Sequence, residues 1–257
     1  RCTRATAQLG LPHSTNSNLK RGIVLDRQKQ RTKFMTKTKN EIYDEETIEA
    51  MRRVLQPPSI CIDVGAHQGS ILRGMIRIAP DATHFAIEPL PDLAQKLQAN
   101  FPGVIVYECA LSDRNGEAEF QHVTNDRAYS GLLRRAYDRP DPIIEKIFVK
   151  VRRLDDLIPK DATISFIKID IEGGEYHAMK GATKIIKSSK PTIVFEAGVK
   201  SSGHYGVNQD MIYDFFKSME YCVSTMARWL NSEPPFSKAE FWDNWESDYY
   251  FIAYSAQ

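Results

Sequence analysis

The chain has 257 residues, 42% of them hydrophobic and 26% charged, ordinary proportions for a globular protein whose core buries roughly 70–75% of the unfolded surface. Collagen-like repeats, wholesale disorder and a coiled-coil rod are excluded, and no apolar run approaches the ~20 residues that cross a bilayer. The net charge of +1 hides an asymmetry, because residues 1–40 carry ten Lys/Arg and one acid, Asp26, so a basic arm precedes an acidic body.

Residues 1–40 read as a basic, partly flexible extension, and residues 41–257 as one domain. The N-terminus has no apolar signal core, which points to a soluble, cytoplasmic protein. Cys2, Cys61, Cys109 and Cys222 form no metal-type pair. Three of them sit in apolar runs, as reduced core thiols do. In chain order, Asp44 reads as the N-cap of a helix with Ile48, Met51 and Leu55 on one face, stopped by Pro57-Pro58. Ile60 to Val64 is a fully apolar strand. A helix follows through Ile71, Leu72, Met75 and Ile76. His84 to Ile87 is a strand, Pro91 opens a helix, and Val104 to Tyr107 is a third strand. Glu117–Val123 and Lys146–Leu154 alternate apolar and polar residues, which predicts an antiparallel pair added at a sheet edge. Parallel order resumes with a strand at Ile164–Asp170, a helix at Glu175–Ser189 and a strand at Thr192–Glu196. Asn208 caps a helix carrying Ile212, Phe215, Phe216 and Met219. Tyr221–Thr225 and Tyr249–Tyr254 are the last strands, joined by an aromatic, acidic loop. Repeated βα units predict a doubly wound α/β sheet with helices on both faces and ligands at the carboxyl ends of its strands.

Three constellations fall at those ends. The first is Asp63-Val64-Gly65-Ala66-His67-Gln68-Gly69, where glycines permit a tight turn into a helix N-terminus. The middle glycine of a dinucleotide fingerprint is replaced by His67, which argues against a pyrophosphate and against NAD. The second is Glu88-Pro89, with Glu88 19 residues beyond Gly69, near the ~20 expected of an acid that accepts both ribose hydroxyls. A ribose without a pyrophosphate fits S-adenosylmethionine, whose ammonium and sulfonium suit Asp63 and Asp170. The third is Lys168-Ile169-Asp170-Ile171-Glu172-Gly173-Gly174-Glu175, with Asp170 and Glu172 read as two acids facing one way from a strand end.

With this third motif the stretch Ile60–Gly198 resembles the FkbM-type family of S-adenosylmethionine-dependent methyltransferases. CIDVGAHQGS, FAIEPLP, YECALSDRNGEAEF, VRRLDDL, FIKIDIEGGEYHAMKGA and IVFEAG carry the resemblance in order. It implies a Rossmann-like class I methyltransferase fold, with a mostly parallel seven-stranded sheet, and O-methylation of small molecules, sugars or natural products. It also implies that Asp63, Gly65 and Gly69 form the methionine-side turn, with Ala66 and His67 in it. Glu88 and Pro89 would lie at the ribose. Ala110, Leu111 and Ser112 would border the adenine, with Asp113 close by, and Asp170, Glu172 and Gly173 would sit beside the methyl. His177 and Ala197-Gly198 depart from the family pattern. Glu172 and His204 are candidate bases, and Asp170 is the positioner. Asp170 and Glu172 resemble a metal pair, but no third ligand is evident at that edge, so the transfer is expected to be metal-independent. Trp242, Trp245, Tyr249 and Tyr250 either clamp an acceptor or bury the last strand. A small-molecule or glycan acceptor is the expected partner. The alternatives are a nucleic-acid methyltransferase, disfavoured by the acidic body, and a non-catalytic binding protein on the same fold.

Overall fold

In the computed structural model the described residues are 37–137 and 140–255, so the arm at residues 1–36 lies outside them. The chain divides by its contacts into Arg1–Lys39 and Asn40–Gln257, and the architecture is that of the second unit. Ten strands run in chain order: β1 Ile60–Val64, β2 Phe85–Ile87, β3 Ile105–Tyr107, β4 Ala110–Leu111, β5 Gly116–Val123, β6 Ile144–Arg152, β7 Ile164–Ile169, β8 Thr192–Glu196, β9 Tyr221–Thr225 and β10 Tyr250–Ser255. Seven of them form one sheet in the order β3-β2-β1-β7-β8-β10-β9. From β3 to β8 the neighbours are parallel. β10 is antiparallel to both β8 and β9.

Alternation along each strand explains the two cores. Cys61, Phe166, Val194 and Ile252 face one side and pack with Met51, Leu72 and Leu97. Their neighbours Ile62, Ile167, Phe195 and Phe251 face the other side and pack with Met179, Ile186, Phe216 and Phe241. A strand buried on both faces has no reason to alternate in polarity, which is why these runs are mostly apolar, with Asp63 and Lys168 the charged exceptions inside β1 and β7. The first layer of helices comprises α1 Lys39–Val54, α2 Ser70–Ile78 and α3 Pro91–Asn100. The second layer includes α4 Glu175–Lys180 and α5 Thr183–Ser189; after α6 Val199–Ser202 and α7 Gln209–Ser218 come α8 Met226–Leu230 and α9 Lys238–Asn244. Among the described residues no helix is long and apolar enough to cross a membrane.

Four elements differ from the sequence reading. Asp44 lies inside α1 rather than at its cap, because the helix begins at Lys39. The extra turn is held by Tyr43, which is buried, stacks on Tyr250 at 5.0 Å and donates a hydrogen bond to Asp248 Oδ1 at 2.9 Å. The single helix expected at Glu175–Ser189 is two. The Gly181 carbonyl accepts from Asp155 N–H, and the Asp155 carboxylate accepts from the N–H groups of Lys184 and Ile185, so α5 is capped by a residue from another loop. The antiparallel pair β5–β6 is not an edge of the main sheet; it forms a separate sheet with β4, in the order β4-β6-β5. The aromatic loop carries α9, whose Ser237 and Glu240 make a reciprocal capping box.

Candidate active site

The chain leaves β1 toward β2 and β3 on one side and takes up β7 and β8 on the other. At that reversal a cavity of about 790 Å³ opens at the carboxyl ends of the strands, where this topology places ligands. Its first wall is the turn after β1. Gly65 has φ +76°, and a Cβ there would overlap the Asp170 carbonyl oxygen, so only glycine lets β1 and β7 approach this closely. His67 also adopts a positive φ and donates its N–H to Glu88 Oε2 at 2.9 Å, while Leu90 N–H donates to Oε1 at 3.0 Å. Glu88 thereby ties the β1 turn to the end of β2. Its burial pushes the carboxyl up to about 7, and those two N–H groups pull it only partly back.

A lysine forms the floor. Lys168 is buried; its Nζ donates to the Gly65 carbonyl at 3.2 Å and lies 3.3 Å from Asp170 Oδ2 and 3.7 Å from Asp63 Oδ1. Burial disfavours its charge, but Asp170 and Asp63 outweigh that and hold it above the ordinary ammonium range. Asp170 also accepts the Tyr250 hydroxyl. Burial raises its carboxyl, yet Lys168 and Tyr250 bring it below the usual carboxylate range. For Asp63 burial wins over Lys168, and the carboxyl is raised.

The third wall is acidic. Glu172 stands in a turn at φ +61° rather than on a strand, which corrects the reading of it as a strand partner of Asp170. Its carboxylate pairs with Arg135 from the loop that follows β5. Glu196, at the end of β8, completes a group in which oxygens of Asp170, Glu172 and Glu196 all lie within 4.8 Å of one another. The sequence reading found no third acid here. Lys168 was equally missed as a functional residue, although a lysine in the middle of an apolar buried strand is itself a signal, because lysines are almost never fully buried unless paired.

Asp63, Gly65, Ala66, His67, Glu88 and Pro89 line the cavity, as do Ala110, Leu111, Asp170 and Glu172. Five expected site residues lie elsewhere. Gly173, at φ +106°, backs onto the Ser201 carbonyl, which a Cβ there would strike. Gly69 has φ +77° at the start of α2, and a Cβ there would strike the Phe101 ring, so it serves packing. The Ser112 carbonyl sits against Gly181. Asp113 faces away to His177 Nδ1 at 3.5 Å and Lys180 Nζ at 3.8 Å, which also accounts for the unexpected His177. His204 is exposed, and its Nε2 accepts from Ala136 N–H at 3.3 Å. Trp245, Tyr249 and Tyr250 line the cavity, whereas Trp242 is 45% exposed outside it.

Comparison with known proteins bears on the sequence and the fold. The 2-O-methyltransferase NoeI of Sinorhizobium fredii is 24% identical over 194 residues, covering 67% of this chain and 77% of NoeI. The AMB antimetabolite synthetase AmbE of Pseudomonas aeruginosa is 25% identical over 221 residues, covering 72% of this chain but only 10% of AmbE. The crystal structure of Methyltransferase FkbM from Methylobacillus flagellatus KT superposes with a TM-score of 0.50 at 22% identity, over 83% of this chain and 50% of that one. The sequence profile of the Methyltransferase FkbM domain matches residues 63–222. With well over half its length inside that profile, this chain belongs to the FkbM family of S-adenosylmethionine-dependent methyltransferases.

Proposed function

We propose that the protein transfers a methyl group from S-adenosylmethionine to a hydroxyl of a small molecule, sugar or natural product. The observation that carries this reading is the acid-lined cavity at the β1/β7 reversal. The residues present fit the cofactor. Asp63 Oδ1 is shielded from solvent without a hydrogen-bond donor among the described residues, and Asp63, Glu88 and Asp170 put three carboxyls on the walls, which suits a ligand bearing positive charge and a diol. When bound, S-adenosylmethionine supplies a methyl group on a cationic sulfur. Glu88 would hold the ribose, and Asp63 and Asp170 the cationic end. Lys168 keeps Asp170 ionised and fixes the Gly65 carbonyl, so the turn is organised before any ligand arrives. Catalysis by such a site is mainly alignment and exclusion of water. The acids also bear on the acceptor. A polyanion is repelled from a wall of carboxylates, which disfavours a nucleic acid, and the name of NoeI supports an oxygen acceptor.

The test is mass-spectrometric detection of labelled methyl groups after incubation with defined pools of hexoses, chito-oligosaccharides, phenols, amines and RNA. Label on a hydroxyl of a small acceptor is the expected result. Label confined to amines or RNA would overturn the reading.

A further inference from the structure

We propose that Glu196 is the general base of the transfer, and that it stores a proton in the unliganded protein which leaves when the cofactor enters. This rests on the hydroxyl-acceptor reading for its second step only.

The topology builds the arrangement. Glu196 ends β8; Tyr250 of β10 lies directly opposite it, and Ile169 of β7, the residue before Asp170, pairs with Phe195. Three strand ends therefore bring Glu196, Asp170 and Tyr250 to one edge. The three neighbouring acids are not equivalent. Asp170 is held by Lys168 and by the Tyr250 hydroxyl, and Glu172 is held by Arg135. Glu196 Oε2 is shielded from solvent and has no donor among the described residues. Glu196 nevertheless lines the cavity, with an oxygen within 4.8 Å of carboxyl oxygens of both Asp170 and Glu172, a separation at which neighbouring carboxyls disfavour one another's ionisation and favour a proton on one of them. Asp170 has Lys168 at 3.3 Å, whereas the cation that reaches Glu196, Arg135, is already paired with Glu172, so the proton belongs on Glu196.

The charges around Glu196 agree. From the β7 end it faces Asp170, with Lys168 behind that acid, and Glu172; from α4 Glu175; from the loop after β5 Arg135; and from β10 and the residue before it Tyr250 and Tyr249. Three carboxyls against two cations leave no positive charge for a fourth carboxylate. Burial and the neighbouring carboxyls, against Arg135, raise its proton affinity well above that of an ordinary glutamate. A cationic ligand entering the cavity reverses this balance and expels the proton. The carboxylate left behind then accepts the acceptor's hydroxyl proton on Oε2. The new O–C bond forms as the C–S bond breaks, and the electron pair stays on sulfur. The products are a methyl ether, a neutral thioether and Glu196 as the free acid. That is the protonation state in which the next cycle starts, so the base is reset by each turnover.

Proton release can be counted without knowing the acceptor. Titration calorimetry with S-adenosylmethionine at pH 8, where Glu88 is already largely ionised, in buffers of different ionisation enthalpy, should show about one proton released per cofactor bound to the wild type. Glu196→Gln, fixed in the uncharged form, should release about one proton fewer and bind about tenfold or more weakly, because full release requires the ionised form to bind more tightly by that factor. With an acceptor found among the labelled pools, this variant should lose at least about 100-fold in kcat. No release from the wild type, or the same release from E196Q, would overturn the proposal, and so would kcat within tenfold of wild type. A thermal shift with Mg²⁺ that chelation and E196Q both abolish would also overturn it, making the three acids a cation site. The wild-type count needs no variant, so it decides even if E196Q does not fold. Label on an amine, with the proton count intact, would sink the acceptor reading while leaving the stored proton standing.

Discussion

Glu88 serves two ends with one carboxylate: it accepts from His67 N–H and Leu90 N–H and it faces the cavity. Its acceptor strength for a diol exists only in the ionised form. With the carboxyl raised to about 7, cofactor affinity should climb between about pH 6 and pH 8. Glu88→Gln should weaken binding by roughly 10- to 150-fold, the equivalent of about 1.5–3 kcal/mol for one charged hydrogen bond, and should lose the share of the pH dependence that comes from Glu88, leaving the part tied to Glu196. Calorimetry across this range checks both. His204→Ala should leave turnover within threefold, because the ring is exposed and outside the cavity; a hundredfold loss would return it to the chemistry. Glu88 was legible because its distance from the glycine turn is a local count along the chain. Glu196 was not, since no spacing along the chain tells that the ends of β7 and β8 are neighbours. Only sheet order and register do that.

Among the elements, the two glycines of the cofactor turn separate packing from binding. At Gly69 a side chain meets Phe101 and a left-handed φ, so Gly69→Ala should cost roughly 1–3 kcal/mol of stability with cofactor affinity within threefold. At Gly65 the obstacle is the Asp170 backbone, so Gly65→Ala should lose more than tenfold in affinity by displacing the acid. Urea unfolding and titration on both variants distinguish the two effects. Most strands were readable because runs such as Ile60–Val64 and Thr192–Glu196 are too short and too apolar for anything but a buried sheet. The break at Gly181 was hidden because its cause, Asp155, belongs to another loop. The α9 helix was announced by Ser237 and Glu240, a capping pair three residues apart that the aromatic content of the loop obscured.

Over the whole molecule, the buried carboxyls set the direction in which stability changes with pH. Glu88 and Glu175 are both raised from about 4.5 to about 7. Glu175, fully buried, is raised by its burial, against N–H groups donated by Ile171 and Gly173. Between those values the native state binds more protons than the unfolded chain, so the stability these two groups contribute falls as pH rises through the window and levels off above it. Urea midpoints should therefore be higher at pH 5 than at pH 8, and Glu175→Gln should shrink that difference; a midpoint that rises with pH would contradict the assignment. The alternation in Glu117–Val123 and Lys146–Leu154 revealed a half-exposed strand pair, but not that it would leave the main sheet and join β4. The position of β10 has a consequence for biosynthesis. This strand is made after β9 yet lies between β8 and β9, and among the described residues β9 pairs with no other strand. While the ribosome adds the residues from β9 to β10, at roughly 5–20 per second, β8 has an open edge and β9 has no sheet to join. For those seconds Phe195, Val223 and their neighbours are bare on the nascent chain, so chaperone demand should peak just before Tyr250 emerges and end when β10 closes the gap and brings its hydroxyl to Asp170.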